Sequence, residues 1–470
     1  MRACVARAMA AVLLALAPIG AEAAAEWPSS DAAIAAEIRA DTLRTWTAYR
    51  RYAWGHDELK PISRSYHDWY GKPLQIAPID GYSTLKLMRF ERETREIERY
   101  VIRDARFDRD QSVKTYEVYQ RILGGLLCMY SYTHNPRSLA KAEDFGRRLL
   151  PAFASKTGIP YYYVNLKTGA ASGAEVNVAE AASYVFEFGI LSYYTRDPVF
   201  YRTGMRAERA IFSRRSAIGL VGERIDVNSG KWLAEQSHVG AYIDSYYEYM
   251  YKAGLLFGDP ELLAMWKVSI AAIDTHIAED YHGELWFAQV DRTTGVRLNR
   301  FVNVWDAYFP GLLALSGNLD RAARHQDAWD RAWNRFHMLP ERFDYATGDV
   351  VHGAYTLNPE MMESTYYLAH YTHDPRYKAR NLKYYRDLQR CCRTPDAYTT
   401  IKDARTGERS DLMETFFIAE TMKYLWLTFV GDAGFDPDQY VFSTEAQPFR
   451  RADFDRAEAR VRLGFGVAAR

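Results

Sequence analysis

At 470 residues the chain is long enough for about three domains or for one large helical ring, and a hydrophobic content of 48% supports a sizeable core. Lys plus Arg and Asp plus Glu both total 60, a balance that implies neither the basic face of a nucleic-acid binder nor a broadly acidic surface. Charge alone names no partner.

Residues 1–23 read as a secretory signal: Arg2 and Arg7, an apolar run from Ala8 to Ile19, then Ala21-Glu22-Ala23 as a small-residue cleavage site. A mature chain beginning near Ala24 is expected, exported to the periplasm or the medium. No later stretch has about 18 unbroken apolar residues, so no membrane insertion is expected. Cys4 leaves with the signal. Cys128, Cys391 and Cys392 make neither a disulfide framework nor a zinc spacing.

Helical periodicity dominates from Ala33 onward and is punctuated by a recurring turn: Asn135-Pro136, Asp197-Pro198, Asp259-Pro260, Asn318-Leu319, Asp374-Pro375 and Gly431-Asp432. The gaps are 62, 62, 59, 56 and 57 residues. That period suits two helices and their connections, so each repeat is a helical hairpin. A weaker turn at 88–90 makes a seventh.

Seven hairpins that never open into strands predict an all-α fold, an (α/α)7 barrel in which one helix of each pair lines the inside. The rival is an open solenoid. After Gly431-Asp432 no second long helix follows, but FDPDQYVFSTEAQP, which suits closure by a C-terminal β-hairpin or strand segment better than a polar cap. The barrel domain is therefore placed at 24–449, with the plug at 441–449 as a short extended run. Residues 450–470 form a charged tail with no assigned role.

The helix entering each turn is the more apolar of its pair, as in SYYEYMYKAGLLF and TFFIAETMKYLWLTF. Near the starts of these inner helices a carboxylate recurs: Asp80, Glu117, Glu180, Asp244, Asp306, Glu360 and Glu414. Taken singly such acids cap free N–H groups and complement the helix dipole. Asp411 with Glu414 and Ser245 with Glu248 have capping-box spacing, and Asn358 precedes Pro359 as a cap would. Taken together they would converge on one mouth of the ring, where buried carboxylates need a cation, water or a polyhydroxy ligand. Arg121, four residues after Glu117, is a helix ion pair or an orienting partner. Gly124-Gly125 in the same helix costs helix stability, which close packing of a helix or ligand explains and simple crowding explains as well.

A hard cation such as calcium takes oxygen ligands, and a plug threonine, Thr444, offers a carbonyl and a hydroxyl. The 35 Tyr and 11 Trp are core filling or sugar platforms. The His residues show no paired metal spacing, and no G-x-S-x-G, Walker or dinucleotide pattern occurs. Hydrolysis by carboxylates remains.

The segments YAWGHDELKPIS, YEVYQRILGGLL, AEAASYVFEFGILS, IDSYYEYMYKAG, LNPEMMESTYYL, DLMETFFIAETMKYLWL and VFSTEAQP together resemble glycoside hydrolase family 47, the class I α-1,2-mannosidases. YFPGLLALSGN and LPERFDY are similar to its ER-degradation-enhancing mannosidase-like branch. The resemblance implies an (α/α)7 barrel plugged by a C-terminal hairpin. It implies Glu117 as general acid, Asp244 as a second catalytic acid and Glu360 as general base of an inverting, calcium-dependent α-mannosidase.

By the same resemblance Thr444 binds Ca2+ directly, and Glu363, Glu414, Glu420 and Glu445 act on it through water. Arg121, Phe416, Glu187 and Glu420 touch the sugar. The expected partner is a mannose-containing oligosaccharide and the expected state a monomer. Two positions depart from the family pattern: Asn358 stands for its Arg and Val304 for its His. The alternative is a catalytically silent mannose-glycan-binding barrel.

Overall fold

The repeating Asn/Asp-Pro dipeptides are the caps of the outer helices. In the computed structural model, which describes residues 30–432 and 434–465, Asn135, Asp259 and Asp374 each accept from the N–H two residues on, with Pro as the first helical residue. The preceding inner helix ends on a left-handed residue, His134, Gly258 or His373. This local chemistry recurs, so the hairpin recurs. The signal at 1–23 lies outside the described residues.

Helix α1 (Asp31–Tyr52) opens the described chain. Six hairpins follow in which inner helices precede outer ones. They are α2 (Ile76–Asp80) and α3 (Tyr82–Leu87) with α4 (Glu91–Arg103); α5 (Thr115–Val118) and α6 (Gly124–Thr133) with α7 (Pro136–Leu149); and α8 (Val178–Ala182) and α9 (Val185–Thr195) with α10 (Val199–Phe212). Then come α11 (Asp244–Phe257) with α12 (Pro260–His276), α13 (Phe309–Leu315) with α14 (Leu319–Phe336), and α15 (Glu360–Thr372) with α16 (Pro375–Cys392). The last inner helix is α17 (Met422–Val430). Inner helices are buried all round: every residue of α9 from Val185 to Tyr193 is in the core. Outer helices bury one stripe, such as Ala142, Phe145, Gly146 and Leu149 of α7.

The seventh hairpin differs from expectation. The turn at Gly431 leads into the plug, and the outer partner of α17 is α1, from the other end of the chain. Ring closure therefore joins the two ends of the described sequence, which no local turn signal can announce. A second difference lies in the connections, which do open into strands. Three-stranded sheets such as Ser112–Lys114, Tyr163–Asn165 and Ala171–Ser172 link one repeat to the next. Inner helices start directly from them, as α5 does from Lys114 and α8 from Asn177.

The plug is an antiparallel hairpin, Tyr440–Phe442 with Pro448–Arg450, in the register Val441 opposite Phe449. Residues 443–447 are its tight tip rather than an extended run: Ser443 and Gln447 close it by backbone hydrogen bonding at 3.0 Å, and Ala446 has a φ of 53°. Past the hairpin, Phe454 packs on Tyr193 and Phe257, and α18 (Arg456–Leu463) buries Ala459 and Leu463.

Gly125 follows from packing, because a Cβ there would meet the Ile79 carbonyl oxygen at 2.5 Å. Three expected caps do not form. Asp411 accepts from Ile62 and Ser63 N–H, Ser245 pairs with the Tyr116 and Ser183 hydroxyls, and the Asn358 side chain turns back to Thr356. Distant partners displace the local N–H groups at Asp411 and Ser245, whereas Asn358 is taken by the hydroxyl and N–H of Thr356 just before it.

Candidate active site

The lumen opens among the sheet connections as a cavity of about 360 Å3. Four inner-helix starts put Glu117, Glu180, Asp244 and Glu360 on its wall, and the plug tip puts Thr444 and Glu445 in it. Glu248, Glu363, Glu420 and Phe416 also face it, with Tyr162, Tyr242 and Trp305 among the aromatic lining residues. Two inner helices contain a π-turn, Tyr119–Leu123 carrying Arg121 and Phe417–Thr421 carrying Glu420. Such turns shift side-chain phase and occur often at functional sites.

Three of the expected mouth acids are walled off. Asp80 is fully buried and accepts from the Thr415 hydroxyl at 2.6 Å and from Arg121 at 3.3 Å. Asp306 takes the Asn303 and Ala241 N–H groups, holding the loop before α11. Glu414, expected near the cation, instead hydrogen-bonds Glu58, and burial together with that neighbour raises its carboxyl well above the usual carboxylate range. Glu180 lines the cavity and also completes a capping box with Asn177.

Arg121 is the hub of the wall. Its Nη1 bonds Glu445 and Asp80, its Nε lies 3.6 Å from Glu117, and its guanidinium sits 5.5 Å from the Trp69 ring and 5.4 Å from Phe416. Beneath, Lys252 pairs with Glu248 and lies 3.7 Å from Glu363. Lys423 donates to the Ser83 hydroxyl and to the Ala446 carbonyl of the plug tip. Glu187 stands behind Thr444 rather than in the cavity: it accepts from the Tyr249 hydroxyl, and that oxygen accepts from Thr444 N–H.

Negative charge is in excess: eight carboxyl side chains line the cavity against Lys114 and Arg121. Burial therefore pushes Asp244 up to about 8, with Glu248, Asp306 and Glu117 adding to the push against the Ser245 N–H. Glu360 is raised well above the carboxylate range by burial, then by Glu363 and Asp244. Burial also raises Glu363, Glu420 and Glu445, and Glu420 and Glu445 share a hydrogen bond. Glu360 Oε2 has no hydrogen-bond partner among the described residues.

This donor set fits a hard, oxygen-seeking cation, with the Thr444 oxygens and surrounding carboxylates at the floor. Among the described residues the cavity offers no three carboxyl or imidazole groups close enough to hold an ion unaided.

Asn358 and Val304 do not reach the cavity. Both are buried, and Trp305 and Pro359 line it in their stead. Sequence reasoning missed Tyr242, Trp305 and Lys252. Glu248 and Lys252 follow Asp244 at four-residue steps, a spacing that marks one helix face. Tyr242 carries no such signal: it is 54% exposed with a φ of 82°, a strained conformation for an aromatic residue.

The family model of glycosyl hydrolase family 47 matches residues 42–451. The chain is similar to alpha-mannosidase I MNS4 of Arabidopsis thaliana, 35% identical over 87% of this chain and 68% of that protein. It is 31% identical to the human ER degradation-enhancing alpha-mannosidase-like protein 2, over 87% of this chain and 76% of that one. The fold matches the alpha-1,2-mannosidase from Trichoderma reesei with a TM-score of 0.82 at 25% identity, covering 90% of this chain and all of that one.

Proposed function

The chain belongs to glycosyl hydrolase family 47, and from that premise we propose a calcium-dependent α-mannosidase that removes terminal α-1,2-linked mannose from oligosaccharides with inversion. The observation that carries this reading is the meeting of Glu117, Asp244, Glu360 and Thr444 on one cavity of about 360 Å3. That volume suits one terminal sugar, and the Tyr162, Tyr242 and Trp305 faces suit the next.

Inversion needs an acid on one side of the scissile bond and a base on the other, with room for water between them. Asp244, held at about 8, keeps a proton at neutral pH and lies on the same cavity as Glu117. These two supply the proton to the leaving oxygen, Glu117 at the more open position with its side chain 31% exposed and oriented by Arg121. Glu360 begins α15, where the helix dipole opposes the burial that raises its carboxyl, and in its ionised form it takes the proton of the attacking water. Phe416 offers a face to the sugar ring, and the Arg121–Glu445 pair fixes the plug tip beneath it.

Thr444, Glu363, Glu420 and Glu445 would hold the cation, Thr444 directly and the carboxylates through water. A calcium ion held there would supply positive charge that favours the ionised form of these carboxylates and attracts sugar hydroxyls. Glu414, turned to Glu58, takes no part, and Glu187 acts on Thr444 through Tyr249 rather than on sugar. The basic-then-apolar run at residues 2–19 supports export of the mature chain.

The test is a proton NMR time course on α-1,2-linked mannobiose with wild type, with chelator, and with Glu360→Gln. Early β-mannose, lost in the second and third samples, is the expected result. Early α-mannose would overturn inversion. Calcium-dependent glycan binding with no mannose released, on mannobiose or longer α-1,2-linked glycans, would instead identify a glycan-binding barrel.

A further inference from the structure

We propose that the opposite end of the barrel holds a second divalent-cation site, built by His370, Asp436 and Asp438, which staples helix α15 to the base of the plug. His370 is in the last turn of α15, ten residues from Glu360 and so about 15 Å along the axis. Asp436 and Asp438 flank and enter the short helical turn Pro437–Gln439 that leads into the plug strand Tyr440–Phe442. One ligand atom from each of the three lies within 4.8 Å of the others. No part of this group belongs to the lumen site.

The geometry around the imidazole is that of a metal ligand. His370 Nε2 lies 3.5 Å from Asp438 Oδ2, near the edge length of roughly 3.3 Å in a tetrahedron with bonds of about 2.0 Å. On the far side of the ring, Nδ1 lies 3.0 Å from Asp432 Oδ1. With the proton on Nδ1 and donated to Asp432, Nε2 presents its lone pair toward Asp438, and an outer carboxylate that fixes the tautomer is the usual partner of a metal-bound histidine. The His370 side chain is only 9% exposed.

A second observation points the same way. Tyr366, one turn earlier on α15, is 4% exposed, and its hydroxyl has no hydrogen-bond partner among the described residues. It lines the same cleft as His370 and Asp432, and Asp432, Asp436 and Asp438 add to the burial that pushes its hydroxyl up. A protonated imidazole bridging Asp432 and Asp438 would balance the charges without an ion, but it leaves the Tyr366 hydroxyl orphaned. A water on a cation bound in this cleft would give that hydroxyl a partner. One imidazole with two carboxylates suits a first-row divalent ion such as zinc better than calcium, which prefers oxygen alone.

The site would clamp the end of α15, whose beginning carries Glu360, to the segment that six residues after Asp438 delivers Thr444. The experiment uses the full chain, stripped by chelator and then kept in saturating calcium so that the lumen is not the variable. Zinc is added, and bound zinc per chain and the melting temperature are measured for wild type, His370→Gln and Asp438→Asn. Cobalt, as a spectroscopic probe, reports coordination by visible absorption. One equivalent of zinc, a raised melting temperature, and at least about tenfold weaker binding in both variants are expected. Equal zinc content and equal melting shifts in all three proteins would overturn the site. Asp438 is exposed, so its variant keeps the test valid should His370→Gln fold poorly.

Discussion

The backbone N–H of Thr444 donates to the hydroxyl oxygen of Tyr249 at 3.1 Å, and that hydroxyl in turn donates to Glu187 at 2.6 Å. The plug tip is thus positioned by a buried tyrosine on α11, itself oriented by a carboxyl group on α9. Tyr249→Phe removes an acceptor from Thr444 and a donor from Glu187 together. The expected cost is about 1–3 kcal/mol, read as a lower urea midpoint, with weaker calcium binding by calorimetry. Unchanged calcium affinity would mean that Thr444 is positioned by the hairpin alone.

Glu360→Gln preserves the size of the side chain and abolishes its basicity. A loss in kcat on the order of 10^2 to 10^4 is expected, with affinity for mannobiose retained in calorimetry. Near-normal turnover would remove Glu360 from the base role.

The buried acids make stability depend on pH. Asp244 and Glu187 are pushed to about 8 and Glu180 to about 7, from ordinary values of 3.8 or 4.5. Between those limits the folded chain keeps protons that the unfolded chain has lost, so stability in chelator falls as pH rises from about 4.5 to about 8. Calcium offsets the charge that the protons had masked. Its stabilisation, measured as a melting shift, is expected to be larger at about pH 8 than at about pH 5, with protons released on binding near neutrality. A calcium shift independent of pH would contradict the charge excess as its origin.

Tyr242 faces the cavity with a φ of 82°, its carbonyl held by Ala179 N–H at 2.9 Å. Tyr242→Gly relieves the backbone and removes the aromatic face. Stability equal to or up to about 1 kcal/mol above wild type is expected. KM for mannobiose should rise roughly fivefold, the equivalent of about 1 kcal/mol of ring contact. A KM unchanged beside a higher stability would leave the strained tyrosine without a role in sugar binding.

Much of the fold is legible in the chain because its punctuation is local. A left-handed residue, an Asn or Asp cap and a proline restart the helix at intervals near 60 residues, and each acts within one turn. The strands between repeats are only two to four residues long, too short for alternation to stand out against helical periodicity. The capping boxes expected at Asp411 and Ser245 failed for a related reason. A cap signal counts only local donors, whereas these side chains found partners from distant segments.

The sequence by itself determined the helical repeat, the family motifs and the residue types of the site, because these depend on neighbours within a few positions. Tertiary structure alone decided that α1 closes the ring on α17 and that Glu117, Asp244 and Glu360 face the cavity. It also decided that Asp80, Asp306 and Glu414 do not, although all six carry the same mark of an acid near an inner-helix start. The difference is the phase of each helix about its axis, set by π-turns, by close approaches such as that of Gly125 to Ile79, and by buried partners from other repeats. None of these is encoded within one turn of the acid itself.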